Sequence, residues 1–195
     1  MTLKSWDLLL MLLYSDWKTE ELNEPILWRT RLLKTIIAFE KEVFPDFKKD
    51  NNLVTQESLP IFYAWNFWPM SKDVLEDLEF FIKINFIQTS NVNSIIEDDW
   101  VKEFDSLMED MFLDGQEEDW EYTEQKIYLS EIWKKYVVQK IWPELSENQK
   151  KLIKNLKSQF NGSSLARILE YVYNNPLYAE YIKEDKSKIY NKYKI

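Results

Sequence analysis

FYAWNFWPMSKDVLEDLEFFIKINFIQT, residues 62–89, predicts a strand, a tight turn, a capped helix and a second short strand. The aromatic start of this stretch, residues 62–67, favours extended backbone. Pro69 then disfavours helix in the residue before it. Ser71 is a good helix N-cap, so the helix is expected to begin directly after it.

The helix predicted at 72–85 has two different faces. Its apolar face follows helical spacing, with Val74, Leu75, Leu78, Phe81 and Ile82. Its other face carries the carboxylates of Glu76, Asp77 and Glu79. One side is therefore expected to pack on a core and the other to meet solvent or a partner.

Outside this stretch, apolar spacing and the placement of Ser, Asn and Pro predict further helices. They are expected at 3–15, 29–44, 99–112, 131–142, 146–160 and 164–173, with Pro45 and Pro143 as stops and a further strand at 120–129. Only two glycines are present, which argues against the many tight turns of a sandwich or barrel.

The predicted fold class is α+β and mostly helical. Residues 1–129 are expected to form a winged-helix-like domain with an acidic insertion at about 90–121. Residues 130–195 are expected to form a helical C-terminal extension packed on that domain. A chain of 195 residues that is 45% apolar has enough apolar side chains for such a core.

Several kinds of chemistry are excluded by residue content. The chain has no cysteine and no histidine, hence no disulfide, no thiolate and no imidazole base or metal ligand. A magnesium-nuclease pattern would need Asp46 near Glu124 and Lys126, which lie too far along the chain for adjacent strands. We therefore expect a protein that is not an enzyme and has no cofactor or metal.

The apolar run 8–14 is too short to span a bilayer. A cytoplasmic protein without membrane contact is the resulting expectation.

Charge is distributed very unevenly along the chain, whose net charge is −9. Residues 1–70 carry 8 basic and 10 acidic side chains, 71–125 carry 3 and 17, and 126–195 carry 14 and 7. The middle therefore repels phosphate, whereas the C-terminal part attracts it.

The order helix, helix, strand, helix, strand, strand is that of a winged helix, and the residues resemble a bacterial and archaeal winged-helix family. The resemblance lies in Thr30-Arg31-Leu32-Leu33-Lys34, Phe67-Trp68-Pro69-Met70-Ser71, Ile153 to Asn161, Tyr171-Val172-Tyr173 and Pro176-Leu177-Tyr178. Trp68 stands where that family usually has Gly. A looser likeness is to phage-associated antitoxin-type domains. The resemblance implies a regulatory or interaction role.

In that family fold, the helix 72–85 takes the position of a recognition helix. Such helices normally present basic or amide side chains to DNA, whereas this one presents carboxylates. Reading of a major groove is therefore disfavoured, and a protein-interaction module is favoured.

The acidic middle admits two interpretations. In one, it is a solvated insertion docked through its apolar side chains. In the other, it mimics a nucleic-acid backbone on a partner. The candidate partner-binding carboxylates are Glu76, Asp77, Glu79, Asp98, Asp99, Glu103, Glu109 and Asp110.

Two further groups are candidate binding residues. The first is a basic set made of Lys150, Lys154, Lys157 and Arg167. Three interpretations stay open for it: a nucleic-acid-binding surface, an ordinary solvated face, or a group of charges that neutralises the acidic middle. Trp65 and Trp68 flank the turn before the central helix and are candidate interface aromatics.

The leading hypothesis is a regulatory protein that binds another macromolecule, a protein in a phage, defence or toxin-antitoxin setting. It includes action as an acidic nucleic-acid mimic or inhibitor. The alternative is a transcriptional regulator that binds nucleic acid through its basic C-terminal helices. Both leave a homodimer open.

Overall fold

A computed structural model describes residues 2–27, 29–65, 68–92 and 124–182. The described chain is a mixed α+β structure in which helices predominate, so the predicted fold class is confirmed. Its α-helices are α1 (Ser5–Tyr14), α2 (Arg29–Ala38), α3 (Phe44–Phe47), α4 (Lys72–Lys83), α5 (Glu131–Tyr136), α6 (Glu147–Gly162) and α7 (Leu165–Asn174). Short 3-10 turns lie at Gln56–Ser58, Trp142–Glu144 and Pro176–Tyr181.

The strands are β1 (Ile26–Leu27), β2 (Tyr63–Trp65), β3 (Trp68–Met70), β4 (Ile87–Val92) and β5 (Glu124–Leu129). They form an antiparallel sheet of order β1-β5-β4 and a separate hairpin of β2 with β3. In the three-stranded sheet, β5 lies between β1 and β4, although it is the last of the three in the chain. The winged-helix-like arrangement stays a prediction.

Two strands were not predicted from the sequence. Strand β1 has only two residues, too few to show a pattern, and it is held by pairing with Ile127 and Lys126. The stretch 62–67 was predicted as one strand, yet β2 ends at Trp65, which pairs with Trp68 of β3. Pro69 lies inside β3, where a short two-stranded sheet leaves room for a residue without an N–H.

Both predicted proline stops fall next to π-helices. The first π-helix, Phe39–Val43, follows α2, and the second, Val137–Ile141, follows α5. In each case a proline, Pro45 or Pro143, lies two residues after the last residue of the π-helix. Since proline lacks an N–H and its ring crowds the carbonyl four residues back, a widened turn accommodates it. The helix predicted to stop at Pro45 instead continues to Phe47, and that boundary was wrong.

The core is built around α1. Its residues from Asp7 to Tyr14 are all buried, so other elements surround this part of the helix on all sides. Helix α6 packs against α1, α2, α3 and β1, so the C-terminal part shares the core of the N-terminal part. The proposed division at residue 129 stays a prediction.

Candidate interaction surface

Helix α4 is positioned by a cap at each end. At its start, the buried Ser71 hydroxyl accepts a hydrogen bond from Val74 N at 3.4 Å. At its end, Asn85 takes a positive φ of 60°, and Phe86 N donates to Phe81 O at 2.8 Å. Asparagine tolerates this left-handed conformation, and the bond closes the helix before β4 begins.

The buried face of α4 consists of Val74, Leu75, Leu78 and Phe81, four of the five residues predicted. Phe81 lies against Phe86 and Trp133, with ring centroids 5.9 and 6.1 Å apart. These contacts fix which side of the helix faces outward.

The outward side of α4 combines carboxylates with apolar groups. Asp73 and Glu76 are exposed, Asp77 is half-buried, and Phe80 and Ile84 are 56% and 36% exposed. Their spacing along the helix places these five residues on one face. We call this set the α4 face.

Basic side chains neutralise part of the acidic charge on α4. Arg29 forms an ion pair with Glu79, and Lys72 lies 3.3 Å from Glu76. Within the described chain no ion pair joins Asp73 or Asp77. Burial raises the pKa of Asp77, and the charges of Asp73 and Glu76 raise it further. The α4 face therefore holds closely spaced negative charge that would be stabilised by a cation.

Phe80 was missed as a candidate residue. It lies outside the apolar stripe that predicts the helix, and this position is the sequence signal for its exposure. A phenylalanine outside the buried stripe of an amphipathic helix is expected at the surface. Its ring lies 5.7 Å from that of Phe81, which anchors it on the helix.

Five of the predicted acidic residues lie outside the described residues, and so does the helix predicted at 99–112. They are Asp98, Asp99, Glu103, Glu109 and Asp110. The segment that contains them, residues 93–123, connects β4 to β5. The backbones of Trp65 and Trp68 pair across the β2–β3 hairpin, and their side chains are not described.

The predicted basic set does not form a common exposed face. Lys150 pairs with Glu147 at 2.7 Å, and Lys154 pairs with Asp16 at 2.6 Å. Arg167 is exposed on α7, a different helix. Two of the three predicted lysines on α6 are thus engaged in ion pairs within the molecule.

The prediction of Lys157 as a nucleic-acid contact is wrong, because its side chain is fully buried. Its Nζ donates to Leu13 O at 2.9 Å and also to Ser15 O and Glu24 O. Helical spacing places Lys150, Lys154 and Lys157 along one side of α6. Lys157 is buried because that side packs on the end of α1 at this point. Burial lowers the pKa of Lys157 to about 7, against the opposing effect of the Glu24 and Asp16 charges.

The loop before β1 is wrapped around the carboxylate of Glu24. That carboxylate accepts from the backbone N–H groups of Trp17, Lys18 and Thr19, the latter two at 2.7 and 2.8 Å. It also accepts from the Thr19 hydroxyl at 2.7 Å. Although partial burial raises the pKa of Glu24, these bonds outweigh it and lower the pKa to about 2. This loop and Lys157 are structural elements that a charge count does not reveal.

The described residues contain no group of three or more acidic side chains arranged to hold a metal ion. Among them there is likewise no helix with the length and apolar character needed to cross a membrane.

Comparisons with protein-family models, with curated proteins and with solved structures found no match to this chain. The family resemblance therefore stays a prediction.

Proposed function

We propose that this protein binds a basic segment of another protein through the α4 face. The proposal covers a regulatory role without catalysis, and it treats α1, β1, α2, α4, β4 and β5 as a winged-helix core whose recognition helix is adapted to protein. A phage, defence or toxin-antitoxin setting is supported by the family resemblance alone.

The observation that carries the proposal is the pairing of carboxylates with an exposed aromatic ring on one rigid helix. Glu76 and Asp77 lie about one turn from Phe80, which is 56% exposed, and Asp73 lies about one turn further toward the start of the helix. Aromatic anchors beside charged groups are typical of protein interfaces. A partner helix or strand with lysine or arginine beside an apolar residue would match both features.

Electrostatics supports a protein partner over DNA at this helix. A phosphate backbone would meet Asp73, Glu76 and Asp77 with like charge. The segment 93–123, later in the sequence, has 12 acidic side chains and one basic side chain. The same charge supports the narrower proposal that the protein acts as a nucleic-acid mimic on a partner. The alternative, nucleic-acid binding by the C-terminal helices, is weakened because Lys157 is buried and Lys150 and Lys154 are paired.

The test is capture of partners from the source cell by the wild-type protein and by two charge-reversal variants. The test variant is Asp73→Lys with Glu76→Lys. The control variant is Glu144→Lys with Glu170→Lys, which changes the net charge equally at exposed sites away from α4. We expect a basic protein that is retained by the wild type and the control and lost by the test variant.

A partner retained equally by both variants would contradict the assignment to the α4 face. Recovery of nucleic acid instead of protein would contradict the proposed class of partner. In that case, binding that falls steeply with salt and is lost in Lys150→Glu with Lys154→Glu would support the alternative.

A further inference from the structure

Strand β4 has a free edge within the described part of the chain. On one side it pairs with β5 over six residues, from Ile87 opposite Leu129 to Val92 opposite Glu124. The other neighbour of β5 is β1, so β4 is the last strand of the three-stranded sheet. An unpaired edge offers backbone N–H and C=O groups to another strand.

The register shows which groups point out from this edge. Ser130 N donates to Phe86 O at 2.9 Å, so this pair is joined by hydrogen bonds, as is every second pair along the ladder. Leu129 confirms the alternation, because its N and O bond the Asn23 side chain on the far side of β5, both at 3.1 Å. The N–H and C=O of its partner Ile87 therefore point away from β5, and those of Thr89 and Asn91 do too.

The composition of β4 is unusual for an edge. Its sequence, IQTSNV, has no charged residue and no proline, in a chain that is 30% charged. Edge strands are commonly protected from pairing by lysine, proline or a bulge. Thr89, at the centre of the outward-pointing set, has an exposed side chain.

We propose that β4 pairs with β4 of a second copy of this chain, antiparallel and about a two-fold axis at Thr89. The outward residues 87, 89 and 91 are symmetric about position 89, so Ile87 meets Asn91 of the second copy and Thr89 meets Thr89. Each of these three pairs forms two hydrogen bonds. The result is one continuous sheet of order β1-β5-β4-β4-β5-β1.

A second copy fits this edge for two reasons. The outward-pointing backbone groups of residues 87, 89 and 91 are self-complementary, as a two-fold interface requires. Furthermore, β4 has no charged side chain, so pairing along this strand places no like charges opposite each other although each copy has a net charge of −9. The dimer does not depend on the proposed function of the α4 face.

The test is the mass of the full-length protein in solution, measured by analytical ultracentrifugation over a range of concentrations. The wild type is expected to approach twice 23.8 kDa as its concentration rises. Thr89→Lys and Thr89→Glu place two like charges opposite each other across the axis. Each is expected to raise the dimer dissociation constant at least about tenfold. Mixing the two variants should restore a dimer, because opposite charges then meet.

Two controls separate loss of pairing from loss of folding. Thr89→Pro removes an outward N–H and leaves the bonds to β5 intact, so it should give a folded monomer by circular dichroism. Gln88→Lys adds the same charge on the other face and away from the axis, and should remain dimeric. A wild type that stays at 23.8 kDa at every concentration overturns the proposal. So does a dimer that persists in both Thr89→Lys and Thr89→Pro.

Discussion

Lys157 Nζ donates to the carbonyl oxygen of Leu13 at 2.9 Å, although 144 residues separate them in the chain. The same ammonium bonds the carbonyls of Ser15 and Glu24. Its three N–H groups thereby join the end of α1, the loop before β1 and helix α6. The sequence pattern assigns Lys157 to a binding surface, whereas the structure shows that it connects three parts of the core.

Replacing this lysine should destabilise the protein strongly. Lys157→Met keeps the length and apolar stem but leaves three carbonyls without their donor. We expect a loss of about 3 kcal/mol in the free energy of unfolding, measured with urea. Lys151→Met, at an exposed position on the same helix, is the control and should change this free energy by less than about 0.5 kcal/mol. Equal effects of the two substitutions would contradict a stabilising role of the Lys157 hydrogen bonds.

Stability should also depend on pH through Lys157. Its pKa is about 7 in the folded protein and 10.5 as a free side chain, so between these values the unfolded state binds more protons. The free energy of unfolding of the wild type should therefore rise with pH in this window, by about 1 kcal/mol per unit, relative to that of Lys157→Met. A difference between the two proteins that stays constant from pH 7 to 10 would contradict this.

Asp7 lies buried at the start of α1, and burial raises its pKa. Its Oδ2 accepts from Lys4 N at 2.8 Å, and within the described residues its Oδ1 has no partner. Asp7→Asn removes a poorly solvated charge and should increase the free energy of unfolding at pH 7, by up to about 1 kcal/mol. Because the folded state retains this proton to a higher pH than the unfolded state, the gain should shrink as the pH falls. A decrease in stability at pH 7 would contradict the assignment.

Glu42 joins the first π-helix to the C-terminal elements. Its carboxylate accepts from Tyr171 Oη at 2.8 Å and from Tyr178 Oη. Tyr178 is fully buried, and burial together with Glu42 raises its pKa above its usual range. Tyr178→Phe should cost about 2 kcal/mol in the free energy of unfolding, because a charged acceptor loses a buried donor. Tyr171→Phe, at a partly exposed position, should cost less than half as much. Urea unfolding of both variants measures the two losses. A larger loss for Tyr171→Phe than for Tyr178→Phe would contradict this prediction.

Much of the helical framework was predictable from local signals. Ser71, Ser146 and Ser164 each cap a helix through the side-chain oxygen, and the apolar stripes of α4 and α6 face the core as their spacing indicates. These features depend on residues three or four positions apart, which sequence reading captures well.

The features that the sequence did not predict depend mainly on contacts between residues far apart in the chain. Strand β1 exists because β5 pairs with it across 100 or so intervening residues, and its own two residues carry no pattern. The inward turn of Lys157 depends on carbonyls of α1 and the following loop. Glu76 and Asp77 of the α4 face were candidates from the sequence, whereas Asp73, Phe80 and Ile84 were not.

The most direct test of the proposed function is site-specific photo-crosslinking from α4. A photoreactive phenylalanine analogue at Phe80 replaces an exposed aromatic ring with one of similar shape. The matched control carries the same group at Ile132, which is 76% exposed on α5. Both proteins would be illuminated in the source cell, and the cross-linked species identified by mass spectrometry.

We predict one dominant protein adduct at position 80, joined through a segment rich in lysine or arginine, and its absence at position 132. That adduct should disappear when Asp73→Lys and Glu76→Lys are added. No adduct at position 80, or the same proteins captured at both positions, would contradict the claim that α4 is the binding surface.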